Sequence, residues 1–181
     1  MNQTKERQGL IIVYTGDGKG KTTAALGTIL RAIGYNWKVC VIQFIKGSWT
    51  YGEMKGLKRL EPDVVLKVLG QGFVGIIDDK KPIEEHIAAA QGALKAALED
   101  VQSDKYDLII LDEINVALNL GLIDLSEVKK LLTGKPKRLH LILTGRGAPQ
   151  DIIDMADLVT EMKEIKHPYQ KGILAQKGVD F

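Results

Sequence analysis

Cysteine occurs once in the 181 residues, which leaves no partner for an intrachain disulfide and too few thiolates for a metal cluster. That residue, Cys40, lies in the apolar stretch Val39-Cys40-Val41-Ile42. It is expected to be buried as a small hydrophobe, in keeping with a reducing cytosol. A dominant charge sign is also lacking: 25 Lys plus Arg stand against 23 Asp plus Glu, a net +2. No global basic field is therefore available to hold nucleic acid non-specifically. Aromatic residues make up only 6% and form no stripe interleaved with basic ones, the pattern that a single-strand motor would use. No run approaches the roughly 20 apolar residues of a membrane span, and the first eight residues, MNQTKERQ, have no apolar signal-peptide core. The expectation is a cytoplasmic protein that binds neither nucleic acid nor membrane.

What is present is apolar material, 45% of the residues. That is enough for one sizeable core, since a chain of this length buries roughly 70% of its unfolded surface. This composition excludes intrinsic disorder, collagen-like repeats and coiled coil. No composition shift, internal repeat or low-complexity segment divides the chain. Residues 1–181 are therefore expected to form a single domain, with 1–8 flexible.

Short apolar runs at 10–14, 39–44, 64–69, 108–111, 139–143 and 158–159 read as six strands. Between them, Ala25, Ile29, Leu30 and Ile33 mark a helix over 21–33 that ends at Gly34. After Pro82, the spacing of Ile83, Ile87, Ala90, Leu94, Leu98 and Val101 marks a long amphipathic helix. Shorter helices are expected near 126–132 and 149–156. Continuous apolar strands alternating with helices predict an α/β fold, a parallel sheet of about six strands covered by helices on both faces. The segment 45–56 has no periodicity and reads as a functional loop before a short helix, and 70–75 is a second glycine-rich loop. The stretch 165–181 reads as a tail, a lid or an extra edge strand.

The strongest local signal is Thr15-Gly16-Asp17-Gly18-Lys19-Gly20-Lys21-Thr22-Thr23 between the first strand and the first helix. It resembles a phosphate-binding P-loop. Backbone N–H groups at a helix N-terminus supply the many close donors that a triphosphate needs, and the helix dipole favours an anion there. Lys21 is expected on the outer phosphates and the Thr22 hydroxyl on Mg²⁺. Thr15 stands where the usual first glycine would be, so the motif is a variant, and Lys19 reads equally as a solvated side chain. The second signal is the run Leu108-Ile109-Ile110-Leu111 ending in Asp112-Glu113, which looks like a Walker B strand. Neighbouring strand residues point to opposite faces, so one metal shell need not receive both carboxylates. Capping of the following helix is the other reading of this pair.

The remaining polar residues say less. His86 is expected on the solvated side of its helix, His140 in or beside a strand and His167 in the tail, with no metal-ligand spacing among them. Lys135, Lys137 and Arg138 read as a solvated turn around Pro136. Arg146, at a strand end in Thr144-Gly145-Arg146, is placed either for a ligand or for a structural ion pair.

Taken with Gln43-Phe44-Ile45-Lys46-Gly47, Leu111-Asp112-Glu113, Leu143-Thr144-Gly145-Arg146, Lys166-His167-Pro168 and Ala175-Gln176-Lys177-Gly178, the P-loop makes the chain resemble the ATP:corrinoid adenosyltransferases of the CobA type. The resemblance covers about residues 10–181. It implies a RecA-like P-loop NTPase fold, usually as a homodimer. It also implies transfer of the 5′-deoxyadenosyl group of ATP to Co(I) of a reduced corrinoid, with release of triphosphate. It assigns Gly16, Asp17, Gly18, Lys19, Gly20, Lys21, Thr22, Thr23 and Arg146 to ATP, Thr22 and Glu113 to Mg²⁺ or Mn²⁺, and Asp112 to support of that metal. The corrinoid is expected above the strand ends, near Phe73. Some relatives carry tryptophan two residues later, where this chain has Gly75, so Trp49 or Tyr51 is a candidate for completing an aromatic wall. An electron-donor protein such as a flavodoxin is an implied partner. The loops 45–56 and 70–79, with the tail, are expected to close over the corrinoid. The P-loop alone leaves two other readings: a phosphotransferase or ATPase acting on another small molecule, and a non-enzymatic ATP-dependent switch.

Overall fold

The computed structural model describes residues 7–47, 51–72, 74 and 81–181. Six parallel strands, β1 (Ile11–Thr15), β2 (Val39–Gln43), β3 (Val64–Val68), β4 (Leu108–Asp112), β5 (His140–Thr144) and β6 (Leu158–Glu161), form one sheet in the order β3-β2-β4-β5-β1-β6. Side chains alternate across a strand, and the core divides accordingly. Ile11, Val13, Cys40, Ile42, Ile109, Leu111, Leu141 and Leu143 face one apolar cluster. Val39, Val41, Leu108, Ile110 and Ile142 face the other. The second face is covered by α1 (Lys21–Ile33) and α2 (Gly52–Lys58), through Ala25, Ile29 and Leu57. The first is covered by α3 (Ile83–Gln102), α4 (Ile114–Asn119), α5 (Leu125–Thr133) and α6 (Gln150–Met155). Burial on both faces explains why β2 and β4 read as unbroken apolar runs rather than alternating ones.

The strands and the long helices fall within a residue or two of the expected bounds. The short elements differ more. α2 begins at Gly52, inside the segment expected to be loop, and α4 follows Glu113 directly although its six residues span too few turns to show a period. His86 is buried, not solvated. The buried stripe of α3 runs through His86, Ala90, Ala93, Leu94, Ala97 and Val101, while Ile83 is 45% exposed. Alanines, weak markers of hydrophobicity, are what face the sheet.

Residues 165–181 form no strand; their one regular element is a 3₁₀ turn over Pro168–Lys171. Arg7, inside the segment expected to be flexible, donates to Asp107 Oδ1 at 2.7 Å and sits 4.4 Å over the Trp37 ring. Arg138 pairs with Asp104 and Asp107, and Lys135 donates to the Gly9 and Leu139 carbonyls, so the turn around Pro136 is bonded rather than merely solvated. Cys40 is fully buried, and burial pushes its thiol up to about 12. Among the described residues, no helix is long and apolar enough to cross a membrane.

Candidate active site

All six strands are parallel, so their C-terminal ends share one edge of the sheet, where open α/β sheets take their ligands. Four of those ends carry polar side chains that are buried or nearly so: Thr15, Gln43, Asp112 and Thr144. β5 lies between β1 and β4, which places Thr144 beside Asp112. The Asp112 carboxylate, wholly buried, is saturated with donors. Oδ1 accepts from the Thr22 and Thr144 hydroxyls, both at 2.8 Å, and Oδ2 accepts from Gln43 Nε2 at 3.1 Å with Lys46 Nζ 3.7 Å away. A buried charge survives only when paired in this way. The Thr22 hydroxyl thus ties the start of α1 to the end of β4 and keeps its lone pairs free for a cation.

Glu113 leaves the strand with φ 63°, a left-handed conformation that a non-glycine residue holds only under constraint. The constraint is a hydrogen bond from its own N–H to Thr144 Oγ1, 2.9 Å. The turn swings the Glu113 side chain into a cavity of about 660 Å³ and leaves Asp112 beneath it. The two acids therefore have separate surroundings. Glu113 occupies the N-cap position of α4 without a side-chain cap bond, so capping is not what its carboxylate does. Burial, then the neighbouring Asp112 charge, pushes its carboxyl above the ordinary glutamate range against the pull of Lys21 and Lys46.

The P-loop lines the same cavity through Asp17, Gly18, Lys19, Gly20, Lys21, Thr22 and Thr23. Lys21 Nζ donates to the Gly16 and Gly18 carbonyls at 2.6 and 2.7 Å, and burial pulls its ammonium below the ordinary lysine range. One residue of the loop stands apart from the cavity. Gly16, with φ 90°, is not in the cavity lining, and a Cβ there would lie 2.5 Å from the Met162 carbonyl, so its glycine serves the packing of the chain after β6. Gly18 lines the cavity, and its N–H donates to that same carbonyl at 2.7 Å. Arg146 reaches the loop by donating to the Asp17 carbonyl at 3.4 Å and lines the cavity.

Lys46 and Thr144 carried no assigned role in the sequence, and the tail was expected only as part of a lid. Lys46 pairs with Glu53 and lies 5.1 Å from the centroid of the Tyr51 ring. Burial opposes its charge, but Asp112 and Glu53 outweigh burial and hold its ammonium above the ordinary range. Thr144 supports both acids. The C-terminal residues Gly178, Val179, Asp180 and Phe181 line the cavity, and Asp180 pairs with Lys19. Lys46 and Thr144 had a usable signal, since each lies at or just beyond the C-terminal end of a parallel strand. The tail had none. Tyr51 is in the cavity wall at the N-cap position of α2; Trp49, Phe73 and Gly75 lie outside the described residues.

Comparison with known proteins agrees with this geometry. The family model described as ATP:corrinoid adenosyltransferase BtuR/CobO/CobP matches residues 7–181. A corrinoid adenosyltransferase of Sinorhizobium sp. is 43% identical over 178 residues, 97% of this chain and 82% of its own length. A corrinoid adenosyltransferase of Pseudomonas aeruginosa is 39% identical over 179 residues, 99% of this chain and 87% of its own. Among solved structures, the flagellar accessory protein FlaH of Methanocaldococcus jannaschii aligns with a TM-score of 0.55 at 15% identity, over 88% of this chain and 73% of that one. That likeness shows the P-loop NTPase-like fold and nothing further.

Proposed function

Since the chain belongs to the ATP:corrinoid adenosyltransferase family, it is a corrinoid adenosyltransferase that uses ATP, and we propose that the cavity at the strand ends is where it does so. Its reaction moves the 5′-deoxyadenosyl group of ATP to Co(I) of a reduced corrinoid and leaves triphosphate. One observation carries the assignment: the cavity gathers P-loop cations and the half-buried Glu113 carboxylate, yet among the described residues lining it there is neither histidine nor cysteine. Co(I) is itself the nucleophile, so attack at the ribose C5′ calls for alignment and for stabilisation of the departing triphosphate, not for a protein nucleophile.

In this reading Lys21, Lys19, Lys46 and Arg146 bear on the phosphates, and Gly20, Thr22 and Thr23 present the N-terminus of α1. The lining sets Asp17, Glu53, Glu113 and Asp180 against those four cations, so a polyanionic substrate must bring its own counter-cation. Mg²⁺ fits: the Thr22 hydroxyl would hold it, with Glu113 acting through water and Asp112 fixing Thr22 from below. When bound, the ion supplies neutralisation of charge on the leaving triphosphate. The Glu113 carboxylate would help hold that ion, and Thr144 keeps Glu113 at its unusual backbone angle. Tyr51 is placed to extend the wall toward the corrinoid. The chain acts as a homodimer, a reading supported by the edge strand β6, whose Leu158 and Val159 are 43% and 39% exposed. An electron-donor protein provides Co(I), and the balanced charge and single buried thiol suit the cytoplasm.

The test is anaerobic incubation with MgATP and chemically reduced cob(I)alamin, following the corrinoid spectrum and identifying the phosphate product. Light-sensitive adenosyl-cobalt with triphosphate is the expected result. ADP with inorganic phosphate, and no adenosyl-cobalt, would transfer the assignment to a phosphotransferase or ATPase.

A further inference from the structure

Residues 176–181, although mostly exposed, fold into a hydrogen-bonded turn. Val179 N and Asp180 N both donate to the Gln176 carbonyl, at 3.3 and 2.8 Å, and Gly178 N donates to the Phe181 carbonyl at 2.8 Å. Gly178 supplies the positive φ, 82°, that such a reversal requires. Within the turn, Asp180 Oδ2 accepts from Gln176 N at 2.8 Å, which fixes the carboxylate and directs Oδ1 to Lys19 Nζ. The opposite side of the turn rests on α2: a Cβ at Gly52 would lie 3.5 Å from the Phe181 carbonyl group. The turn thus reaches from the P-loop to α2 along the cavity wall.

Lys19 is the P-loop cation with the freest side chain, 50% exposed, whereas the Asp180 side chain is 20% exposed and held by backbone. The mobile member of the pair is therefore the one whose other partner is phosphate. The ion pair with Lys19 also holds the Asp180 carboxyl below the ordinary aspartate range, so it stays charged at neutral pH. A fixed carboxylate beside a P-loop cation that lines the cavity competes with whatever polyanion occupies it. The competition matters most for inorganic triphosphate, which has lost the adenosyl contacts and depends on its phosphate contacts alone.

We propose that Asp180 is a positioning residue that draws Lys19 away from polyphosphate and so weakens retention of the triphosphate product. This rests on the reading of the cavity as the ATP site. A half-exposed ion pair is a weak competitor, so removing it should tighten tripolyphosphate binding by roughly two- to sixfold. Asn keeps the bond from Gln176 N through its amide oxygen and loses only the charge, so Asp180→Asn leaves the turn intact.

The experiment is calorimetric titration of inorganic tripolyphosphate with Mg²⁺ into the full chain. The proteins compared are the wild type, Asp180→Asn, Asp180→Glu, Lys19→Ala, Lys21→Ala and the Lys19→Ala/Asp180→Asn double variant. The proposal expects Asp180→Asn to bind roughly two- to sixfold more tightly, Asp180→Glu to resemble wild type, and the Asp180→Asn gain to vanish in the Lys19→Ala background. Equal or weaker binding by Asp180→Asn, or the same gain without Lys19, overturns it. If binding depends on Lys21 while Asp180→Asn changes nothing, the inference fails and the ATP site stands. If binding ignores Lys21, both fall.

Discussion

Replacing Thr144 with valine removes one oxygen and keeps the shape of a buried strand-end residue. That oxygen does two jobs. It donates to Asp112 Oδ1 at 2.8 Å and accepts the Glu113 N–H at 2.9 Å. A hydrogen bond to a charged acceptor is worth about 1.5–3 kcal/mol, and a neutral backbone bond about 1 kcal/mol. Asp112 retains Thr22 and Gln43, so the carboxylate is weakened rather than stranded. The expected loss is about 2–4 kcal/mol in urea denaturation, within the 5–15 kcal/mol typical of a domain, so the variant folds. Catalysis should suffer separately, because Glu113 loses the bond that maintains its φ of 63°. At saturating ATP, kcat for adenosyl transfer to prereduced corrinoid should drop at least tenfold, with a smaller change in the KM for ATP. Thr144→Ser keeps the hydroxyl and should recover most of both quantities. If Thr144→Val were as stable and as active as wild type, or if Thr144→Ser were as damaged as Thr144→Val, the account of how Glu113 is held would be wrong.

The other expectations concern single charges. Lys21→Ala should reduce kcat/KM for ATP by at least a hundredfold while barely shifting the denaturation midpoint; ordinary turnover by this variant would defeat the P-loop assignment. Glu113→Gln removes a carboxylate that burial disfavours, so its stability should equal or exceed wild type while activity at limiting Mg²⁺ falls; full activity there would take Glu113 out of the site. Asp107 tests the fold rather than the chemistry. Burial would raise its pKa, but the Arg7 bond and the Lys38 N–H outweigh burial and hold the carboxyl below the ordinary aspartate range. A depressed acid stabilises the native state above its unfolded value, near 3.9, and loses that contribution as pH falls through the folded value. Asp107→Asn should therefore cost about 1 kcal/mol at pH 7, after allowance for solvent screening, and the gap to wild type should close as pH falls below about 4. A gap that persisted in acid would contradict the ion-pair explanation.

Much of this architecture could be read from the chain because its signals are local. Five-residue apolar runs and a thirteen-residue amphipathic helix carry their own periodicity. The P-loop and the acids after Leu111 follow from spacing within one turn or one strand end. What could not be read depends on contacts between distant segments. Thr22 and Asp112 are 90 residues apart and meet only because β5 separates their strands. The burial of His86 follows from which stripe of α3 meets the sheet, and three alanines in that stripe gave less signal than the exposed Ile83. The tail's place in the cavity hangs on a pair 161 residues apart, Lys19 with Asp180. The bond from Gly18 N–H has the same long-range character, since its acceptor comes from the chain beyond β6.

That last contact reaches further than its own 2.7 Å. With Gly18 bonded to Met162 and Met162 N–H bonded to Thr15 at 2.8 Å, the P-loop takes its shape from the outermost strand of the sheet. Fixing a backbone residue costs about 1–2 kcal/mol in entropy, and here that ordering belongs to folding rather than to nucleotide capture. The cradle is preorganised, so occupancy requires Lys21 to change acceptors but does not require the loop to assemble. The strand that supplies the rigidity is also the one most open to solvent. Anything that grips or loosens β6 from outside has a mechanical handle on the shape of the P-loop.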